Sequence, residues 1–356
     1  MMKEGKTVGK VIENVLHGGR KAVNKEVITQ KDTIDNVAKL KELNISTSEA
    51  SVNVSTHEDK KVDLFLETYE GGPELKIDYS GDSLSVSAKG SEAYKSLNTP
   101  PCMLHVVVPS EISGNWSIIS CSGDISAANL TSDLFDIRSS SGEVNIANLE
   151  AQKLHLKTSS GKITVSEVKV SDVYFETSSG EAALYGIKGD LTGSTSSGDV
   201  TVMNFQGEKF HVVTSSGKIQ QSNGIVNDIS LKTSSGSIQA DSLKGEKVML
   251  HANSGDIKCT RFTGDAKGYT ISGDVLMSLL DESSLDLESS SGDITLLAGK
   301  VNLNAIVQVS TGSGDIFNKL PLMSVKKHSG NHLKGVVGEG KNPISLKAGS
   351  GDVIIS

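Results

Sequence analysis

Residues Leu156–Val165 read LKTSSGKITV. A turn with glycine, hydroxyls and a lysine can cradle a phosphate or hold a nucleophile. Near-copies of it recur along the chain, LKTSSGSIQA at Leu231–Ala240 among them, and a catalytic serine should be singular. GVVGEGKN at Gly335–Asn342 comes close to a P-loop, but Asn342 stands where a Ser or Thr would hold magnesium. Pro343 and a strand-like run follow it in place of a helix, so it reads as a loop. No GxSxG elbow and no Cys/His group with zinc spacing is present. No catalytic residue and no cofactor site is assigned.

The residue after each repeated glycine is often acidic: Asp124, Glu143, Glu181, Asp199, Asp256, Asp274, Asp293, Asp315 and Asp352. Asp256, Asp274, Asp293 and Asp315 are the one candidate metal column, because carboxylates stacked about 4.8 Å apart repel and a Ca²⁺ between them would relieve this. Lys162, Lys218 and Ser237 interrupt the column elsewhere, and the GGxGxD repeat of calcium-binding β-rolls is absent. A solvated outer row is the plainer reading. His155 and His211 share a repeat position but lie three repeats apart, too far for one metal ion. His328 and His332 flank a degraded copy of the turn.

The repeat itself is the main signal. Its glycine recurs at Gly123, Gly142, Gly161, Gly180, Gly198, Gly217, Gly236, Gly255, Gly273, Gly292 and Gly314, continues at Gly330 and ends at Gly351. The steps from Gly123 to Gly292 are all 19 or 18 residues; those after it are 22, 16 and 21. Apolar residues sit seven and five before the glycine, as in Leu154 and Leu156 or Phe210 and Val212, and two and four after it, as in Ile163 and Val165. A spacing of two is the strand period. Each repeat is therefore a strand, an SSG corner, a second strand and a short connector such as EAQK or KGEK.

Stacked as coils, such repeats close their apolar columns into one core; a meander would leave an apolar face with nothing to cover it. The expectation is an all-β, single-stranded β-solenoid of about 19 residues per coil, right-handed by the crossover rule. At the corner the inward parity shifts, which assigns the glycine a backbone role. Thr158, Thr177, Thr195, Thr214 and Thr233, three before the glycine, and the serines just before it are both expected to face inward.

Three segments follow. Residues 102–356 carry the regular coils. Residues 35–101 alternate less strictly and read as atypical coils capping one end, with YSGDSL around Gly81 as an outlying corner. In residues 1–34, Val8, Val11, Ile12, Val15 and Leu16 have helical spacing, predicting a short amphipathic helix or arm, with residues 8–16 as the one place for membrane-surface contact. The net charge of −8, with three arginines, argues against nucleic acid. Aromatics at 4% argue against stacking platforms for bases or sugars. No signal peptide or membrane-spanning apolar run is evident, which sets a cytoplasmic default. Cys102 and Cys121 lie one period apart, which would place them on adjacent coils within disulfide range; Cys259 falls in an apolar column. The final strand DVIIS reads as an uncapped edge through which a second protomer would pair.

LHVVVPSEISGNWSIISCSGDISAANL at residues 104–130, a strand ending in Val-Pro followed by serial SSGD/E/K-I/V corners, resembles the bacterial putative-adhesin family, a β-strand-repeat domain of unknown function. The resemblance covers roughly residues 35–356. It implies a β-helix-like fold, a cell-surface or envelope-stress role and no established catalytic site. Together these readings point to a non-catalytic scaffold binding a protein or cell-envelope partner. The alternatives are a cytosolic or membrane-peripheral stress-response protein and, further off, a polysaccharide-active β-helix enzyme.

Overall fold

A computed structural model describes residues 9–11, 26–90, 100–110, 112, 114–327 and 330–356. The chain divides into two units, Met1–Ser171 and Asp172–Ser356. Each is a parallel β-solenoid whose coils repeat about every 19 residues.

The regular coil is a strand of 14 or 15 residues followed by a four-residue corner. Consecutive strands lie parallel and nearly in register: Val200 pairs with Ile219 and Phe210 with Ile229, and Ile219 pairs in turn with Ile238. Inward positions therefore stack like on like. In one coil the buried positions are Phe210, Val212, Thr214, Gly217, Ile219, Gln221, Gly224 and Val226. The alternation of two slips to three at three places. Each slip turns the chain, so one coil wraps its own core. Burying a large apolar side chain contributes roughly 1.5–3 kcal/mol, and every coil buries several.

One slip lies at the SSG corner. Here the glycine is required for space and not for its backbone angles, because none of the described corner glycines has a positive φ. A Cβ on Gly142 would lie 2.1 Å from the carbonyl oxygen of Gly123, and one on Gly236 would lie 1.9 Å from that of Gly217. Coils stack at the corners backbone on backbone. Where a threonine stands three before the glycine it is buried and its Oγ1 accepts the glycine N–H, at 3.0 Å for Thr158 and Gly161 and 2.9 Å for Thr214 and Gly217. Thr233 also donates to the Gly217 carbonyl of the preceding coil, at 3.2 Å. The serines just before the glycine do not share this column. Ser160, Ser179, Ser197, Ser216 and Ser235 are exposed, since the chain is already turning outward there.

A second slip lies six residues after the corner glycine, where a residue takes the left-handed conformation: Asn129, Asn148 and Glu167 in the first unit, and Gly186, Asn204, Asn223, Ser242 and Arg261 in the second. Asn and Gly adopt it at least cost. Asn148 Nδ2 donates to Asn129 Oδ1, and Asn223 Nδ2 to Asn204 Oδ1, both at 3.1 Å, so the bend also carries a side-chain ladder.

The ends of the stack depart from chain order. In the second unit the last coil, Asn342–Ala348 with Val353–Ile355, is not an edge. Leu285 pairs with Ile344 and Ile294 with Val353 on one side; Val307 pairs with Ile344 and Ile316 with Val353 on the other. The C-terminal strand thus has a neighbour on both sides, and the expected pairing of a second protomer through DVIIS is ruled out by its occupied hydrogen bonds. Antiparallel strands His332–Val337 and Met323–Lys327 then cover Ala305–Thr311. Gly330 has no part in the glycine stack, as a Cβ there would meet nothing within 4 Å.

The first unit uses the same device. The coil built from Glu42–Thr47 and Ser51–His57 lies between one from Ser83–Lys89 and Met103–Pro109 and one from Asn115–Ser120 and the start of Ile125–Ser139. Antiparallel strands Lys61–Tyr69, Val27–Asp35 and Gly9–Val11 close the outer side. Val11, one position of the expected helix, is thus in a strand; Val8, Ile12, Val15 and Leu16 lie outside the described residues. Gly81 is a hairpin turn with φ 66° between Glu74–Ser80 and Ser83–Lys89, and not a coil corner. Cys102 pairs in register beside Ala50 and Cys121 follows Thr47, so the two cysteines occupy different columns with a coil between them, and neither is in a disulfide.

Candidate functional site

The outward side chains of unit two form rows, one residue per coil, on a flat parallel sheet. A trough of about 860 Å³ runs over this face. Its floor is the backbone over Ile229, Val248, Ala266 and Leu285, the buried residues seven before successive corners. Ala266 is the smallest of these, and the strand register slips beside it, between Gly245 and Val248. One wall carries Asp228, Lys247, Asp265 and Ser284; the other carries His211, Ser230, Met249, Lys267 and Asp286. Met249 is 44% exposed, an apolar tip among charges. His211 Nε2 lies 3.5 Å from Asp228 Oδ1.

The acidic row after the corners lies elsewhere, and the carboxylates of Asp256, Asp274, Asp293 and Asp352 each accept a backbone N–H from the adjoining coil. Asp274 N–H donates to Asp256 Oδ1 at 3.0 Å, Asp293 N–H to Asp274 at 2.8 Å, Asp352 N–H to Asp293 at 2.8 Å and Asp315 N–H to Asp352 at 2.8 Å. The stack order is therefore Asp256, Asp274, Asp293, Asp352, Asp315, with Asp352 intervening before Asp315. A short carboxylate reaches the next coil's amide, which explains the preference for Asp here. Among the described residues no group of three His, Cys, Asp or Glu is placed to hold a metal ion.

The other singled-out residues scatter. His211 borders the trough, His155 belongs to the first unit, His332 begins a cap strand and His328 lies outside the described residues. GVVGEGKN ends one strand and turns through Gly338 and Gly340, at φ 62° and 75°, into the strand Asn342–Ala348, with no helix to face a phosphate. Cys259 is fully buried; burial, with a smaller effect of Asp241, pushes its thiol up to about 12 and leaves it unreactive. The trough was not foreseen from the sequence, since its lining comes from six separate repeats.

No curated protein matches the chain in sequence. Solved structures that resemble it include a protein described as a putative adhesin from Parabacteroides merdae, 16% identical, covering 75% of this chain and 97% of that one with a TM-score of 0.38. Another described in the same words, from Bacteroides fragilis, is 14% identical and covers 94% of this chain and 98% of that one at 0.29. A third, described as a putative lipid binding protein, from Parabacteroides distasonis, is 15% identical and covers 78% and 96% at 0.36. Residues 40–206 and 185–356, two overlapping stretches, both match the family described as Toastrack DUF4097, so the family accounts for nearly the whole chain. The chain belongs to the Toastrack DUF4097 family.

Proposed function

We propose that the protein is a non-catalytic scaffold that attaches to a partner at the cell envelope, in the manner of an adhesin, through the outward rows of its coils. The observation that carries this reading is the trough in the second unit. It sets mixed charge and the exposed Met249 on a rigid sheet face, the make-up of a surface for recognition. Rows repeated at about the strand spacing suit an extended partner lying along the stack. The described residues contain no helix long and apolar enough to cross a membrane. Fractionation of producing cells, followed by protease treatment of intact cells, tests the reading. Recovery with the envelope supports it. Recovery wholly with the soluble fraction, under conditions that retain known peripheral proteins, contradicts it.

A further inference from the structure

The row that forms one wall of the trough, taken with Lys209 one coil beyond it, has a charge order that matches itself. Eight residues before successive corner glycines stand Lys209, Asp228, Lys247 and Asp265. Lys209 pairs in register with Asp228 and Asp228 with Lys247, and Asp265 stands opposite the bulge that Glu246 and Lys247 form between the pairs Gly245–Gly264 and Val248–Ala266. The four side chains thus alternate in sign along the stack. Lys209, Lys247 and Asp265 are exposed and have no ion-pair partner among the described residues. Asp228 is half-exposed and has only His211 beside one oxygen.

A row of four alternating charges reads the same backwards with the signs exchanged. Turned about a two-fold axis between Asp228 and Lys247, it sets Lys209 against Asp265 of the other copy and Asp228 against Lys247, each twice. The residues beyond the row, Asp190 and Ser284, meet one another without a like-charge clash. A copy laid parallel in register would set Lys on Lys and Asp on Asp. We propose that this wall is the contact of an antiparallel, two-fold homodimer formed by the second unit with a second copy of the chain. Such a contact is isologous, as closed dimers require. Its short, charged make-up belongs to weak, salt-sensitive association. The proposal rests on reading the trough face as a contact surface and not on attachment to the envelope, so either can fail alone.

Sedimentation velocity of the full-length protein over a wide concentration range, at low and at high salt, tests it. A monomer–dimer equilibrium that salt weakens is expected. Asp228→Lys should shift it at least tenfold toward monomer, and adding Lys247→Asp should restore it, because the row Lys, Lys, Asp, Asp is again its own complement. Unchanged circular dichroism keeps misfolding apart from loss of contact. A monomer under all conditions, or a dimer that Asp228→Lys leaves intact, or one that the double exchange fails to rescue, overturns the proposal.

Discussion

A Cβ placed on Gly236 would lie 1.9 Å from the carbonyl oxygen of Gly217, nineteen residues earlier in the chain. The coils meet at this corner with no room for a side chain. Gly236→Ala must therefore push two backbones apart within a continuous ladder. We expect a loss of about 3 kcal/mol in urea unfolding, at the upper end of overpacking. Ser237→Ala, one residue on and outside the stack, should cost less than about 0.5 kcal/mol.

Thr233 accepts the Gly236 N–H at 3.0 Å and donates to Gly217 at 3.2 Å, inside the core. Thr233→Val keeps the shape and leaves a buried N–H and a buried carbonyl without this partner. The expected loss is about 1–3 kcal/mol, and Thr233→Ser should recover most of it. Equal stability of the Val and Ser variants would contradict a polar role for this column.

At the acidic row, Asp293 Oδ1 accepts the Asp352 N–H at 2.8 Å. Asp293→Asn retains an acceptor of the same reach and should be nearly neutral. Asp293→Ala should cost about 1 kcal/mol and raise amide hydrogen exchange at Asp352. A calcium titration followed by calorimetry separates this structural role from an ionic one: heat that vanishes in Asp293→Asn would show that the carboxylate charge matters.

The first unit carries a pH-sensitive group. Burial raises the pKa of Asp63, but hydrogen bonds from Thr33 and Lys61 and the charges of Lys61 and His57 outweigh it and hold the carboxyl below its ordinary 3.8. A depressed carboxylate stabilises above its unfolded pKa, and that contribution is lost as pH falls through the folded value. Stability of the first unit should therefore decline below about pH 4, and Asp63→Asn should flatten the decline. Trp116, the only tryptophan in the chain and buried in that unit, reports it by fluorescence.

Much of the coil was legible in the letters. Gly161, Thr158, Ile163 and Val165 recur because like stacks on like, and stacking makes each column chemically uniform. The reason for the glycine was not legible, since a steric demand from the preceding coil and a demand for special backbone angles leave the same residue behind. The second bend had a signal that passed unread: Asn129, Asn148, Gly186, Asn204 and Asn223 all stand six after a corner. Glu167, Ser242 and Arg261 obscure it, being held left-handed by the neighbouring ladder despite an intrinsic cost of about 1–2 kcal/mol. Stack order at the ends was hidden for another reason. Gly314 and Gly351 both fit the period, and periodicity states which residues share a column but not their sequence within it.

The outward rows near the end of the second unit are set by that order. Ile354 pairs with Thr295 on one side and with Phe317 on the other. Adjacent parallel strands place paired Cα atoms about 4.8 Å apart, within reach of a disulfide. Cysteines introduced in pairs at these positions, oxidised and mapped by mass spectrometry, therefore read the stack directly. The structure predicts that Thr295→Cys joins Ile354→Cys and does not join Phe317→Cys. A disulfide between positions 295 and 317, with none between 295 and 354, would show coils stacked in chain order and contradict the inserted C-terminal coil.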